Sequence, residues 1–311
     1  MDELPVAAIL PDLRASLARS ANAVLVAPPG AGKTSLVPQA LLSADWLGGQ
    51  KIVMLEPRRL AARAAAERIA QLIGEAPGGT VGYRTRLESV TGPATRIEVI
   101  TEGLLTRRLL ADPGLDGIGC VIFDEIHERS LEADLALALT LDLQRGLRPE
   151  LRILAMSATA DIATLTTLLE APVIESAGRV HPVTIEFAAR DLADARDLPA
   201  ALARAVRGAL AAHRGDVLAF LPGIGEIRRA AEALEGAPAT IMPLYGDLPP
   251  AEQARVLAPS SQRRVILATS IAETSLTVPG VRIVIDGGYR RTPVLDTASG
   301  LTRLATQRIS R

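Results

Sequence analysis

The sequence predicts an α/β protein made of two tandem units, each a mostly parallel sheet flanked by helices. Three observations carry this. At ~100–200 residues per domain, 311 residues make two domains. Short runs rich in Val and Ile alternate with segments of helical period, as in sheets wrapped by helices. The alternation breaks once, around Gly178 and His181-Pro182, and then resumes. The units are therefore expected at 1–178 and 179–311.

In the first unit, strands are predicted at Ala23 to Ala27, Ile52 to Leu55, Ile97 to Thr101, Cys120 to Asp124, Ile153 to Ser157 and Val173 to Glu175. Helices are predicted at Leu60 to Ile73, Glu102 to Leu110, Leu131 to Leu143 and Ile162 to Leu169. The second unit reads as strands at Val183 to Phe187, Val217 to Leu221, Thr240 to Leu244, Val265 to Thr269 and Ile283 to Asp286, with helices near 199–212, 224–235 and 250–257. Short alternating runs from Arg291 to Thr306, on either side of Asp296-Thr297-Ala298-Ser299-Gly300, predict a β-hairpin.

A formal charge of −1 and a pI near 6.4 exclude a uniformly basic coat, so any nucleic-acid binding must come from a local arrangement of cations. The single cysteine, Cys120, lies in an apolar run and rules out an intramolecular disulfide framework, which points to a reducing, cytoplasmic setting. The first twenty residues lack a cationic start and an unbroken apolar stretch, and no apolar run approaches the ~18 residues of a membrane helix. A soluble monomer is expected. Aromatic residues make up 2%, too few for a base-stacking platform, so contacts to a strand should run through its sugar-phosphate backbone.

The chemistry-bearing stretch is Ala27-Pro28-Pro29-Gly30-Ala31-Gly32-Lys33-Thr34, following the apolar run Ala23-Val24-Leu25-Val26. A phosphate loop needs a strand, a glycine-bearing turn whose N–H groups face phosphates, a lysine for the β and γ phosphates, and a hydroxyl on Mg²⁺. Gly30, Ala31, Gly32, Lys33, Thr34 and Ser35 supply these parts for ATP. The strict pattern has Gly at 27, where this chain has Ala; Ala is excluded there only if φ must be positive. Of 34 cationic residues only Lys33 and Lys51 are lysine, which suggests a need for a compact ammonium in the loop. Downstream, Val121-Ile122-Phe123 delivers Asp124 and Glu125 at a strand's carboxyl end, where open parallel sheets bind ligands. Asp124, with Thr34, would hold Mg²⁺, and Glu125 would orient and deprotonate the attacking water.

Asp124-Glu125-Ile126-His127 resembles the DEAH box of superfamily 2 RNA helicases, with Ile in place of the usual Ala. The surrounding string and the APPGAGKT loop are similar to bacterial HrpB-type members. The resemblance continues in order. Glu56-Pro57-Arg58-Arg59-Leu60 looks like motif Ia, Thr101-Glu102-Gly103 like Ib and Ser157-Ala158-Thr159 like III. In the second unit, Phe220-Leu221-Pro222-Gly223 looks like IV and Ala268 to Thr277 like V. It implies two RecA-like domains and an ATP-dependent RNA helicase or translocase acting on a single strand or an overhang duplex, with DNA left open.

The same resemblance implies residue roles. Arg58, Arg59, Thr101, Thr269, Ser270 and Thr277 would meet backbone phosphates, against the plainer reading of solvated arginines, turn residues and caps. Ser157 and Thr159 would link the ATP and RNA sites, although helix capping looks identical in sequence. His127 would couple hydrolysis to the second unit, and Arg68 and Leu257 would contact adenine. The hairpin, with Arg290, Arg291 and Arg303, would grip RNA or serve as a plain connection. The chain reaches Thr306-Gln307-Arg308 where the family continues into a Gly-Arg-rich motif VI. The expectation is a second unit without its final elements and impaired turnover, an arginine finger being worth ~10³–10⁵ in related reactions. An ATP-gated RNA-binding module with little catalysis is the alternative.

Overall fold

The computed structural model describes residues 4–159, 162–177, 182–188, 192, 194–273, 278–297 and 299–309. The chain divides into two compact units, Met1–Val183 and Thr184–Arg311. The boundary expected at 178/179 lies outside the described residues, as does Thr277.

The first unit runs α1 (Leu10–Arg19), β1 (Asn22–Val26), α2 (Lys33–Leu41), β2 (Lys51–Glu56), α3 (Arg59–Leu72), β3 (Val81–Arg84), β4 (Ser89–Val90), β5 (Ile97–Thr101), α4 (Glu102–Ala111), β6 (Ile118–Phe123), α5 (Leu131–Gly146), β7 (Arg152–Ser157), α6 (Ala163–Leu169) and β8 (Val173–Glu175). The eight strands lie in the order β4-β3-β5-β2-β6-β7-β1-β8, parallel except for the β3–β4 pair. Successive side chains of a strand face opposite sides. Cys120 and Ile122 accordingly pack with Leu25, Met54 and Ile69 on one face, while Val121 and Phe123 pack with Leu55, Leu105 and Leu137 on the other. Burial on both faces is why these strands read as continuous apolar runs rather than alternating ones.

Register brings the carboxyl ends of the central strands to one edge. Glu56 pairs with Thr101, Leu55 with Phe123, Phe123 with Ala155, and Val26 with Ser157. Every loop carrying a first-unit motif leaves the sheet from that edge.

The second unit contains α7 (Leu198–Ala212), β9 (Asp216–Phe220), α8 (Ile224–Ala233), β10 (Thr240–Leu244), α9 (Pro250–Leu257), β11 (Arg264–Ala268), β12 (Val281–Asp286), β13 (Tyr289–Asp296) and β14 (Leu301–Arg308). Four strands form a parallel sheet in the order β10-β11-β9-β12, and β13 and β14 form the expected antiparallel hairpin. Arg264, 2% exposed, donates to Asp216 and to the carbonyls of Val256, Ala258 and Pro279, pinning the end of α9 and the approach to β12 onto β9.

One predicted strand is absent. Residues 182–188 carry no regular structure, and Val183, Ile185 and Phe187 are 81%, 73% and 87% exposed. Apolar–polar alternation makes a strand only where a neighbour pairs its backbone and covers one face, and neither happens here.

Candidate functional site

The chain leaves β1 at Val26, and the Ala27 N–H donates to the Ser157 carbonyl at 3.0 Å, anchoring the loop to the next strand. Ala27 is buried and is not among the described residues with positive φ, so the substitution for glycine costs nothing there. Gly30 and Gly32 do take positive φ, 76° and 93°. At Gly32 a Cβ would also stand 2.8 Å from Leu4 Cδ1, so a larger residue there must displace that side chain as well as hold a positive φ. The Leu36 N–H closes the first helical bond, on the Gly32 carbonyl. The N–H groups of Lys33, Thr34 and Ser35 therefore project from the start of α2, where an anion is favoured.

Lys33 is 4% exposed and its Nζ donates to the Ala27 carbonyl at 2.7 Å. Thr34 Oγ1 donates to Asp124 Oδ2 at 2.5 Å, joining the helix to the end of β6. Asp124 is buried, and its Oδ1 accepts from the Glu125 N–H at 2.8 Å. Glu125 then turns into a left-handed conformation, φ 48°, which aims its side chain off the strand axis at a cost an ordinary turn would avoid. His127 Nδ1 accepts from the Ala158 N–H at 3.3 Å and lies 3.4 Å from Glu125 Oε2. The Ser157 hydroxyl donates to the Thr159 carbonyl and accepts the Thr159 N–H, at 3.0 and 3.1 Å, closing the turn after β7. The 124–127 turn and the Ser157-Ala158-Thr159 turn are thus in direct contact.

The electrostatics follow from crowding acids in a dry edge. Burial, then the charge of Asp124, pushes Glu125 up to about 7, against the pull of Lys33. Asp124 is raised by burial, with Thr34 and Lys33 opposing. His127 is lowered by burial. Sequence reasoning assigned Glu56 no role, yet it is 1% exposed at the end of β2. Both its carboxylate oxygens are buried without a hydrogen-bond partner, and burial and nearby Asp124 push it well above the usual carboxylate range. An acid as last residue of a strand neighbouring Asp124 was the available signal. Carboxylate and hydroxyl oxygens converging beside a buried ammonium suit a hard divalent cation with a polyphosphate.

The remaining sequence-predicted residues are dispersed. Thr101 ends β5 opposite Glu56, half-buried. Arg59 is exposed at the start of α3, and Arg58, just before it, lies 3.9 Å from Glu128 Oε2. Arg68 is exposed on α3 and donates to Gln71 at 3.0 Å, tied to its own helix rather than to the phosphate loop. In the second unit Leu257 ends α9, half-buried. The Thr269 N–H donates to the Leu244 carbonyl at 3.1 Å, and Ser270 is exposed at the start of a single 3-10 turn. Arg291 of the hairpin reaches Glu226 at 3.5 Å and packs over Gly223, and Arg303 lies 4.0 Å from Asp296.

The chain is 49% identical over 316 residues to the ATP-dependent RNA helicase HrpB of Escherichia coli (strain K12), covering 100% of this chain and 39% of HrpB. It is 35% identical over 326 residues to the ATP-dependent RNA helicase DHX33 of Homo sapiens, covering 99% of this chain and 46% of that protein. The crystal structure of the Escherichia coli DEAH/RHA helicase HrpB superposes with a TM-score of 0.87 at 48% identity, over 99% of this chain and 40% of that one. The chain thus spans less than half the length of these relatives. The Helicase conserved C-terminal domain matches residues 198–311. With the DEAD/DEAH box helicase profile matching residues 9–168, the chain belongs to the DEAD/DEAH box helicase family.

Proposed function

We propose that the chain binds ATP with Mg²⁺ at the carboxyl edge of its first sheet and hydrolyses it as part of an RNA helicase or translocase. One observation carries this reading. Buried Lys33 and Asp124 and half-buried Thr34 and Glu125 come from two separated segments to one sheet edge, with the Thr34 hydroxyl on the Asp124 carboxylate at 2.5 Å.

The N–H groups opening α2 receive the phosphates, and Lys33 exchanges the Ala27 carbonyl for a phosphate oxygen. Thr34 and Asp124 would hold Mg²⁺, which supplies charge neutralisation on the β and γ oxygens. Glu125 takes the proton of the attacking water, and a base of pKa about 7 is matched to neutral pH. His127, through Ala158, ties that water-activating turn to Ser157 and Thr159. Arg58, Arg59 and Thr101, and Thr269, Ser270 and Thr277 in the second unit, contact the RNA backbone without reading sequence. A soluble, cytoplasmic enzyme fits the composition, and among the described residues no helix is long and apolar enough to cross a membrane.

The test is ATP hydrolysis with and without single-stranded RNA. Lys33→Ala should abolish ATP use, and Glu125→Gln should keep nucleotide binding while blocking turnover. Unchanged hydrolysis in either variant refutes the assignment. RNA affinity that responds to ATP analogues without any turnover in the unmodified chain would favour a gated binding module.

A further inference from the structure

The turn that carries Glu125 is fastened to both first-unit segments proposed to meet RNA. Arg58 Nη2 stands 3.9 Å from Glu128 Oε2, with side chains 28% and 19% exposed. The Ser130 hydroxyl donates to Glu102 Oε2 at 2.5 Å, next to Thr101, and caps α5 by accepting the Ala133 N–H. The Glu128 N–H in turn donates to the Glu125 carbonyl at 2.9 Å. Arg129 is left-handed, φ 51°, as Glu125 is, so the turn is held in a conformation that its own residues do not favour.

Glu128 is poorly satisfied: its Oε1 is buried without a hydrogen-bond partner, and its Oε2 faces Arg58 beyond hydrogen-bond length. Against that one long contact to Glu128, a phosphate offers the guanidinium two short charge-assisted bonds. Departure leaves the carboxylate charged and without this cation, a cost relieved only if the turn shifts or takes up water.

We propose that Glu128 is a positioning residue that holds Arg58 on the Glu125-bearing turn and yields it to an RNA phosphate, linking strand binding to that turn within the first unit. The inference deepens the proposed function and rests on its assignment of Arg58 to the RNA backbone. Charge at 128 also reaches the reacting groups, since it acts to raise both Glu125 and His127.

The experiment measures binding of a single-stranded oligouridylate RNA to this chain across a salt series, for the unmodified protein, Glu128→Gln, Arg58→Ala and the double variant. Glu128→Gln removes the competing charge, so RNA should bind about two- to fivefold tighter. The slope of log K against log salt should steepen by up to about 0.7, the value of one further phosphate contact on a single strand. In the Arg58→Ala background the same substitution should change neither quantity, and Glu128→Asp, which keeps the charge, should retain the unmodified slope. Circular dichroism confirms that each variant folds. No effect of Glu128→Gln on affinity or slope, or an equal effect in both backgrounds, overturns the inference while leaving the proposed function standing. A failure of the unmodified chain to bind RNA overturns both.

Discussion

Glu125→Gln should make the protein more stable as well as inactive, and the gain should grow with pH. Glu125 sits at about 7 in the folded protein against an ordinary 4.5, raised first by burial and then by Asp124. Below pH 4.5 the carboxyl is protonated in both folded and unfolded chains and contributes nothing. Between pH 4.5 and about 7 the folded chain retains a proton that the unfolded chain has lost, so stability falls as pH rises. Above pH 7 the full cost is present. A difference of about 2.5 pH units at ~1.36 kcal/mol each amounts to about 3 kcal/mol. Glutamine removes it, keeps the shape and inherits the same left-handed backbone, so the strain at φ 48° cancels in the comparison.

The first unit spans Met1–Val183, a size at which ~1 kcal/mol moves a melting temperature by roughly 2–4 °C, so the variant should melt roughly 6–12 °C higher at pH 8. At pH 4.5 the two should coincide. Denaturant titrations at pH 4.5, 6, 7 and 8, on unmodified and variant chains without nucleotide, measure this directly. A gain independent of pH, or a loss at pH 8, would refute the argument that an ionised Glu125 is held against its own desolvation.

Turnover should report the same group from the other side. With Glu125 as base, kcat/KM for ATP should rise about tenfold per unit up to about pH 7 and then level, and a profile flat from pH 5.5 to 8 would remove Glu125 from that role. Gly32→Ala should destabilise by ~1–3 kcal/mol through positive φ and the clash with Leu4, whereas Gly30→Ala, with nothing within 4 Å of its added Cβ, should cost ~1 kcal/mol; equal melting shifts would contradict the crowding. Asp216→Ala leaves Arg264 buried without its carboxylate and should cost ~3–5 kcal/mol, read by denaturation of the second unit.

Which features were legible in the sequence follows from where their physical cause lies. β5 and β8 are found at their predicted limits, and β2, β6 and β7 were recognisable because strands buried on both faces appear as apolar runs. Val183 to Phe187 has a strand's alternation and no strand, since pairing is a property of neighbours. β3 and β4 went unread for the opposite reason: four and two residues are too short to show a period, and the sheet alone defines them. α1 was also missed, although Leu13 and Leu17 repeat at helical spacing on its buried side.

The site divides the same way. Lys33, Thr34, Asp124 and Glu125 were readable because each role demands one residue type at a fixed place on a strand or helix end. Glu56 and Glu128 were not, because a carboxylate's burial is invisible in a string where most carboxylates are solvated. Glu56 carries two buried oxygens without partners, and Glu128 carries one. That Glu56 ends β2 and Glu128 lies in the turn after β6, both at the edge that holds Asp124, is itself informative. A sheet stabilised only for folding would replace such groups with apolar or neutral residues, since polar oxygens buried without hydrogen bonds are a standing cost. Their retention makes sense if the acids act on charges that arrive and leave during a cycle, a magnesium-nucleotide beside Glu56 and an RNA phosphate beside Arg58. The stability lost to desolvation at this edge is then recovered when those ligands bind, so ATP with Mg²⁺ should raise the melting temperature of the unmodified chain more than that of Lys33→Ala.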